Sequence, residues 1–91
     1  MAFRVGQVVH TIGVVGWYDA AKGYGFIQSR DVPQDILLHQ SVLPEGFAVT
    51  DQDVIECDVW MKKQDRWIVR VVELVNGKPP DWSNDPFRPS S

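Results

Sequence analysis

The sequence lacks the features that mark secreted, membrane-spanning and zinc-binding proteins. One cysteine in 91 residues cannot form an internal disulfide and is too few for a structural zinc site. No apolar run approaches the roughly 20 residues that span a bilayer, and the first residues show no secretory signal pattern. We therefore expect a cytoplasmic protein that has no membrane partner.

Residue sets that carry catalysis or hold metals are also missing. The two histidines, His10 and His39, are not spaced as a metal-binding pair, and the sequence contains no Ser–His–Asp order, phosphate-binding glycine loop or HExxH motif. We therefore expect no enzymatic activity, no metal and no cofactor. A chain of this length builds one small core, which predicts one domain, and we expect a monomer.

Positive charge is in deficit: the sequence has nine Lys and Arg residues and twelve Asp and Glu residues, which gives a net charge of −3. That balance argues against a protein that grips duplex phosphates by charge alone. It does not argue against single-strand binding, in which stacking on aromatic rings supplies much of the energy. Aromatic residues make up 11% of the chain, more than so small a core needs, and this surplus indicates a surface role.

The pattern of apolar residues predicts an all-β fold, a five-stranded antiparallel barrel. Runs rich in Val, Ile and aromatics alternate with turn residues, and clear helical periodicity is missing. Pro44 and Gly46 limit any helix before the fourth run to a turn. Barrel closure is favoured because it removes exposed sheet edges. The predicted strands are Ile12–Asp19, Tyr24–Ser29, Asp35–His39, Val54–Lys62 and Trp67–Val75.

The fourth run shows the clearest alternation, and a short link predicts that it forms a hairpin with the fifth. Trp67 cannot be assigned to a face, and Lys63 and Arg66 lie in the link, where they either reach a phosphate or remain solvated. Trp60 shares its face with acidic residues, which favours a structural or partner-facing role. The predicted inward residues are Ile55, Cys57, Val59 and Met61, and the outward residues are Glu56, Asp58 and Trp60.

Composition divides the chain into an extension at residues 1–11, a domain at residues 12–75 and a flexible tail at residues 76–91. The tail holds four of the six prolines. Its Trp82 and Phe87 either dock on the domain or a partner, or belong to a loose tail. The segment Val5–Val9 extends the first strand, caps one barrel end or forms a loose arm.

The segment Lys22–Ile27 carries the most information about function. Alternate strand side chains point to opposite faces, so Tyr24 and Phe26 share one face while Gly25 and Ile27 share the other. The two rings then lie about 6.5–7 Å apart, which suits two neighbouring bases of an extended single strand. The alternative is that both rings are core residues, but Ile27 is the natural core residue and lies on the opposite face.

Two separated motifs connect the sequence to a known family. Residues 22–27 read KGYGFI and residues 35–43 read DILLHQSVL. With Trp17 and Tyr18 upstream and Phe47 downstream, the chain resembles the cold-shock domain family from about Ile12 to Val75. The resemblance implies an oligonucleotide-binding (OB) barrel that stacks the bases of single-stranded DNA and RNA on its rings. It also implies RNA chaperoning, the melting or prevention of unwanted RNA structure.

The resemblance further implies roles for individual residues. Lys22 is expected to contact a phosphate or a base edge, and Leu37 to make apolar contact with a base. The chain departs from the family pattern at Gly16, where a lysine is usual, and at Leu37 and Gln40, where aromatic residues are usual. The expected stacking platforms are Trp17, Tyr24, Phe26, His39 and Phe47.

Two functions follow from these observations. The first is a single-stranded RNA- or DNA-binding protein with little sequence preference that acts as a passive RNA chaperone. The second is a protein-interaction barrel with weakened nucleic-acid affinity, which the acidic balance and the replacements Gly16, Leu37 and Gln40 support.

Overall fold

Residues 3–81 are described by the computed structural model, which confirms an all-β fold built around a closed barrel. Trp82, Phe87 and the rest of the tail after residue 81 lie outside the described residues. No helix within residues 3–81 is long and apolar enough to cross a membrane. The elements are β1 (Val8–Asp19), β2 (Tyr24–Ser29), β3 (Ile36–His39), a 3-10 turn (Gln40–Val42), β4 (Val54–Lys63) and β5 (Arg66–Val75).

The strands follow the order β1-β2-β3-β5-β4 around the barrel. Four of the neighbouring pairs are antiparallel. The pairing of β3 with β5 is parallel, which differs from the expected antiparallel arrangement. The reason is geometric: directions cannot alternate around a closed ring of five strands, so one neighbouring pair must run the same way.

Alternation along the strands places the core inside the barrel. The predicted inward face of β4 is confirmed, since Ile55, Cys57 and Val59 are fully buried and Met61 is 1% exposed. Side chains from all five strands complete this core, because each strand buries the face that points inward. The other strand residues of the core are Val15, Ile27, Ile36, Leu38, Trp67, Val69, Val72 and Val75.

β1 begins at Val8, four residues before its predicted start. Val8 pairs with Trp60, and the Gly6 N–H donates to the Met61 carbonyl at 2.7 Å. The segment before the predicted strand therefore extends β1 along β4, one of the three alternatives that the sequence left open.

Trp67 belongs to the core and is 2% exposed. Its indole Nε1 donates to Gln34 Oε1 at 3.1 Å, and the Phe3 ring packs edge-on against it with centroids 5.0 Å apart. Its burial assigns Trp67 to the inward face of β5, which the sequence left open.

The first residues of the predicted tail are hydrogen-bonded to the barrel. The Asn76 N–H donates to the Val54 carbonyl at 2.6 Å, and the Asn76 Oδ1 accepts from the Val54 N–H at 2.8 Å. Asn76 Nδ2 donates to Asp53 Oδ1 at 3.1 Å, and Val75 and Lys78 form an isolated bridge. The domain limits stay a prediction, and within the predicted tail Pro80 is buried.

Candidate nucleic-acid interface

Three aromatic rings form a cluster on the outer face of β1 and β2. The Trp17 and Phe26 rings lie nearly parallel, with centroids 6.2 Å apart and planes 23° from each other. Tyr24 meets both edge-on, at 5.5 Å from Trp17 and 6.3 Å from Phe26. Trp17 is 40% exposed and Phe26 37%. Solvent therefore reaches a continuous aromatic surface, which we call the ring cluster.

A β-bulge at Gly16 turns Trp17 outward. Val15 is buried, and in a regular strand Trp17, two residues later, would share its inward face. The pairing of β1 with β2 shifts between Val15 and Trp17, and an extra residue of this kind re-aims the side chain that follows it. Trp17 consequently lies opposite Phe26 on the outer face.

β3 extends the ring cluster by two side chains. Leu37 lies opposite Phe26 and is half-buried, whereas His39 lies opposite Tyr24 and is exposed. The Nδ1 of His39 accepts from the Ser41 N–H at 3.1 Å and lies 3.0 Å from Ser41 Oγ. These contacts orient the imidazole at the start of the 3-10 turn.

The other two predicted site residues lie on connections rather than strands. Lys22 is exposed in the turn between β1 and β2, where its N–H donates to Asp19 Oδ1 at 3.1 Å. Phe47 is half-buried and packs against the core, and its N–H donates to the Pro44 carbonyl at 2.9 Å. The structure thus brings Trp17, Tyr24, Phe26, Leu37 and His39 together, and it records no contact of Lys22 or Phe47 with them.

A groove of about 430 Å³ lies next to Phe26 and Leu37. Sequence reasoning did not select its Lys62 and Ile68, whereas it named Lys63 and Arg66 as cations that either reach a phosphate or remain solvated. Ile68 lies opposite Leu37 across the parallel pairing, which brings the end of the β4–β5 hairpin alongside β3. The sequence signal was weak, because strand pairing over about 30 residues cannot be read from local patterns. The groove is lined by three cations and two carboxylates, namely Lys62, Lys63, Arg66, Asp35 and Asp65.

Three of the twelve acidic side chains, Glu56, Asp58 and Glu73, lie around His10 on another part of the barrel. His10 Nδ1 lies 2.7 Å from Asp58 Oδ1, and His10 Nε2 lies 3.0 Å from Glu56 Oε2. Hydrogen bonds to Asp58 and then to Glu56 raise the pKa of His10 above its ordinary value. His10, Asp58 and Glu73 each offer one ligand atom, and these atoms lie within 4.8 Å of one another. We call His10, Glu56, Asp58 and Glu73 the acidic cluster.

The chain matches the family model of the 'Cold-shock' DNA-binding domain over residues 11–63, more than half of its length. The barrel, the ring cluster and this match together establish that the chain belongs to the cold-shock domain family.

Several relatives share parts of this sequence. Cold shock domain-containing protein 4 of Arabidopsis thaliana is 41% identical over 49 residues, which are 52% of this chain and 24% of that protein. Cold shock-like protein CspD of Haemophilus influenzae is 50% identical over 32 residues, 35% of this chain and 44% of that protein. Y-box-binding protein 1 of Xenopus laevis is 33% identical over 54 residues, 53% of this chain and 18% of that protein. The matched segment spans less than half of each relative.

Proposed function

We propose that this protein binds single-stranded RNA or DNA with little sequence preference and acts in the cytoplasm as a passive RNA chaperone. The observation that carries the proposal is the ring cluster, in which Trp17 and Phe26 present exposed, nearly parallel rings on adjacent strands. The family's description as a DNA-binding domain supports the same conclusion.

The geometry of the ring cluster suits stacked bases. The centroids of its three rings lie 5.5 to 6.3 Å apart, close enough for successive bases of one strand to reach neighbouring rings. Each stacked base contributes about 1–3 kcal/mol, and stacking tolerates any sequence because every base has a π-face. Leu37 adds apolar contact beside Phe26, and His39 adds a ring opposite Tyr24.

The proposed mechanism needs no energy source. A protein that binds only the unpaired strand shifts the equilibrium between paired and open nucleic acid toward the open form. The extent of the shift depends on protein concentration and on affinity for the open strand. Chaperoning of this kind is passive, since a base-paired nucleic-acid helix opens thermally before the aromatic rings bind its bases.

The second candidate is a barrel that binds a protein partner. The acidic cluster favours it, because its three carboxylates on one outer surface would repel phosphate and attract a basic peptide. Pull-down from a lysate with and without nuclease separates the candidates. Partners lost after nuclease treatment support nucleic-acid binding, and partners that survive support the protein-interaction barrel.

The direct test titrates the protein with oligothymidine and follows tryptophan fluorescence, in which Trp17 reports on stacking. Phe26→Ala should weaken binding by about 5- to 150-fold, the loss of one stacked base. Val71→Ala is the matched control, because Val71 is exposed but lies opposite Asp58 in the acidic cluster. Equal affinities for the wild type and Phe26→Ala, or no binding by the wild type at low salt, would contradict the proposal.

A further inference from the structure

We propose that the nucleic-acid interface continues past Leu37 around the barrel and ends on Trp60, which supplies an additional stacking position for the same strand. This inference rests on the proposed function, and it assigns a role to the outer faces of β4 and β5.

The first observation is a row of apolar side chains in direct register. Starting from the ring cluster, each member lies opposite the next on the neighbouring strand, so the row crosses every strand of the barrel. All of its members face outward and are exposed or half-buried. The row consists of Trp17, Phe26, Leu37, Ile68, Trp60 and Val8. A band of this kind on an outer surface marks an interaction site.

The second observation is that two depressions follow this row. The groove next to Phe26 and Leu37 reaches Ile68 and holds Lys62, Lys63 and Arg66. Beyond Ile68, a second depression of about 460 Å³ is lined by Gly6, Val8, Trp60 and Arg70. Trp60 therefore lines a depression together with an arginine, and its partner Ile68 lines the groove that holds three cations and two carboxylates.

The charges that line the two depressions favour a polyanion, because four cations outnumber the two carboxylates Asp35 and Asp65. Within residues 3–81, none of the four lysines and arginines that line the two depressions forms an ion pair. The outward residues of β4 change from Lys62 through Trp60 to Asp58, and those of β5 from Arg66 through Arg70 to Glu73. Along β4 and β5, Lys62 and Arg66 thus lie on one side of the row, and Arg70, Asp58 and Glu73 lie on the other. A nucleic-acid strand that follows the row passes Lys62, Lys63 and Arg66 before Trp60, and Arg70 lies beside Trp60.

The distance is compatible with one continuous strand. Neighbouring strands lie about 4.8 Å apart, so three strand steps separate Phe26 from Trp60 by about 14 Å along the surface. About two or three further nucleotides cover that length, which keeps the whole site within the roughly 4–16 nucleotides that one OB fold binds.

The test compares short and long oligothymidines, of about 4 and about 10 nucleotides. A longer oligomer binds more tightly simply because it offers more overlapping positions for the same site. The wild type should bind the long oligomer more tightly than this statistical gain explains. Trp60→Leu keeps an apolar side chain without a stacking ring. It should match the wild type on the short oligomer and lose at least about 5-fold on the long one. Val71→Ala should bind both like the wild type.

A second variant tests the inference even if Trp60→Leu fails to fold. Arg70 is exposed, so Arg70→Gln leaves the core unchanged. It should reduce the slope of log K against log salt by about 0.7 for the long oligomer only. If both variants bind both lengths like the wild type, the interface does not extend to Trp60. If the wild type binds neither length, the proposed function itself fails.

Sedimentation of the free protein separates a protein contact from a nucleic-acid contact. Concentration-dependent association that Trp60→Leu abolishes would assign Trp60 to an interface between copies of this chain, and would overturn the inference. A single monomeric species at all concentrations agrees with it.

Discussion

The α-carbon of Gly25 packs directly against the backbone carbonyl of Trp17. A Cβ added at Gly25 would overlap that carbonyl oxygen and lie 2.7 Å from the Cα of Tyr18. The glycine therefore lets β1 and β2 approach closely at the point where the ring cluster forms.

This contact predicts that Gly25→Ala is strongly destabilising. The obstructing atoms belong to backbone and cannot rotate away, so overpacking should cost at least about 1–3 kcal/mol. The matched control is Gly16→Ala, since the nearest atom to a Cβ at Gly16 is the Phe26 carbonyl oxygen at 3.8 Å. Urea unfolding of both variants measures the difference. Similar losses at the two positions would contradict the role assigned to Gly25.

Gly16 also offers a gain-of-function substitution. A Cβ added at Gly16 meets no atom closer than 3.8 Å, so the position accepts a side chain, and Gly16 lies directly before Trp17 of the ring cluster. Gly16→Lys should tighten oligothymidine binding and steepen the slope of log K against log salt by about 0.7, because one more phosphate is neutralised. Gly16→Glu should weaken binding under the same conditions. Equal salt slopes for the two variants would show that no phosphate passes this position.

His10 predicts a pH dependence of folding. Its pKa is raised above the ordinary value of 6.5, first by the hydrogen bond to Asp58 and then by that to Glu56. Since the folded state holds the proton more tightly, this stabilisation is fully present below the unfolded value and is lost as pH rises through the folded pKa. His10→Gln should therefore lower the urea midpoint more at about pH 5.5 than at about pH 8.5.

An NMR titration of the His10 ring protons checks the same claim directly. The midpoint should lie above 6.5 in the wild type. It should fall in Asp58→Asn, which removes the carboxylate charge that raises the His10 pKa most. A wild-type midpoint at or below 6.5 would contradict the geometry of the acidic cluster.

Cys57 should be chemically silent in the folded protein. Burial, with the nearby charges of Asp58 and Glu56, raises the pKa of its thiol to about 12. The thiolate is the reactive form, so a thiol reagent at about pH 8 should label the chain only when it unfolds. The labelling rate should rise with urea in parallel with loss of the native fluorescence signal. Rapid labelling without denaturant would show that the core opens locally at β4.

Local alternation was sufficient to predict much of the fold. The inward face of β4 and the opposite faces of Phe26 and Ile27 follow from period-2 geometry, which depends on the sequence alone. Trp67 could not be assigned in this way, because apolar residues occupy both faces at the start of β5. Gln34, which lies 33 residues away in the chain, accepts its indole hydrogen bond, and no local pattern links the two residues.

The candidate site was predicted in part for the same reason. Tyr24 and Phe26 lie on one regular strand, so their common face was readable from spacing. The outward position of Trp17 depends on the bulge at Gly16, and local periodicity carries no signal for that irregularity. The contribution of Ile68 depends on the pairing of β5 with β3, which is set by how the whole barrel closes.

That closure has a consequence for how the domain responds to its ligand. β3 and β5 share two paired positions, Ile36 with Trp67 and Leu37 with Ile68, whereas β1 and β4 share seven. The barrel therefore has fewer paired positions between β3 and β5 than between β1 and β4. An oligonucleotide bound over Leu37 and Ile68 would contact both β3 and β5 and bridge this short pairing. Such binding would stabilise the β3–β5 pairing, and amide hydrogen exchange should then slow more in β3 than in β1 when oligonucleotide is added.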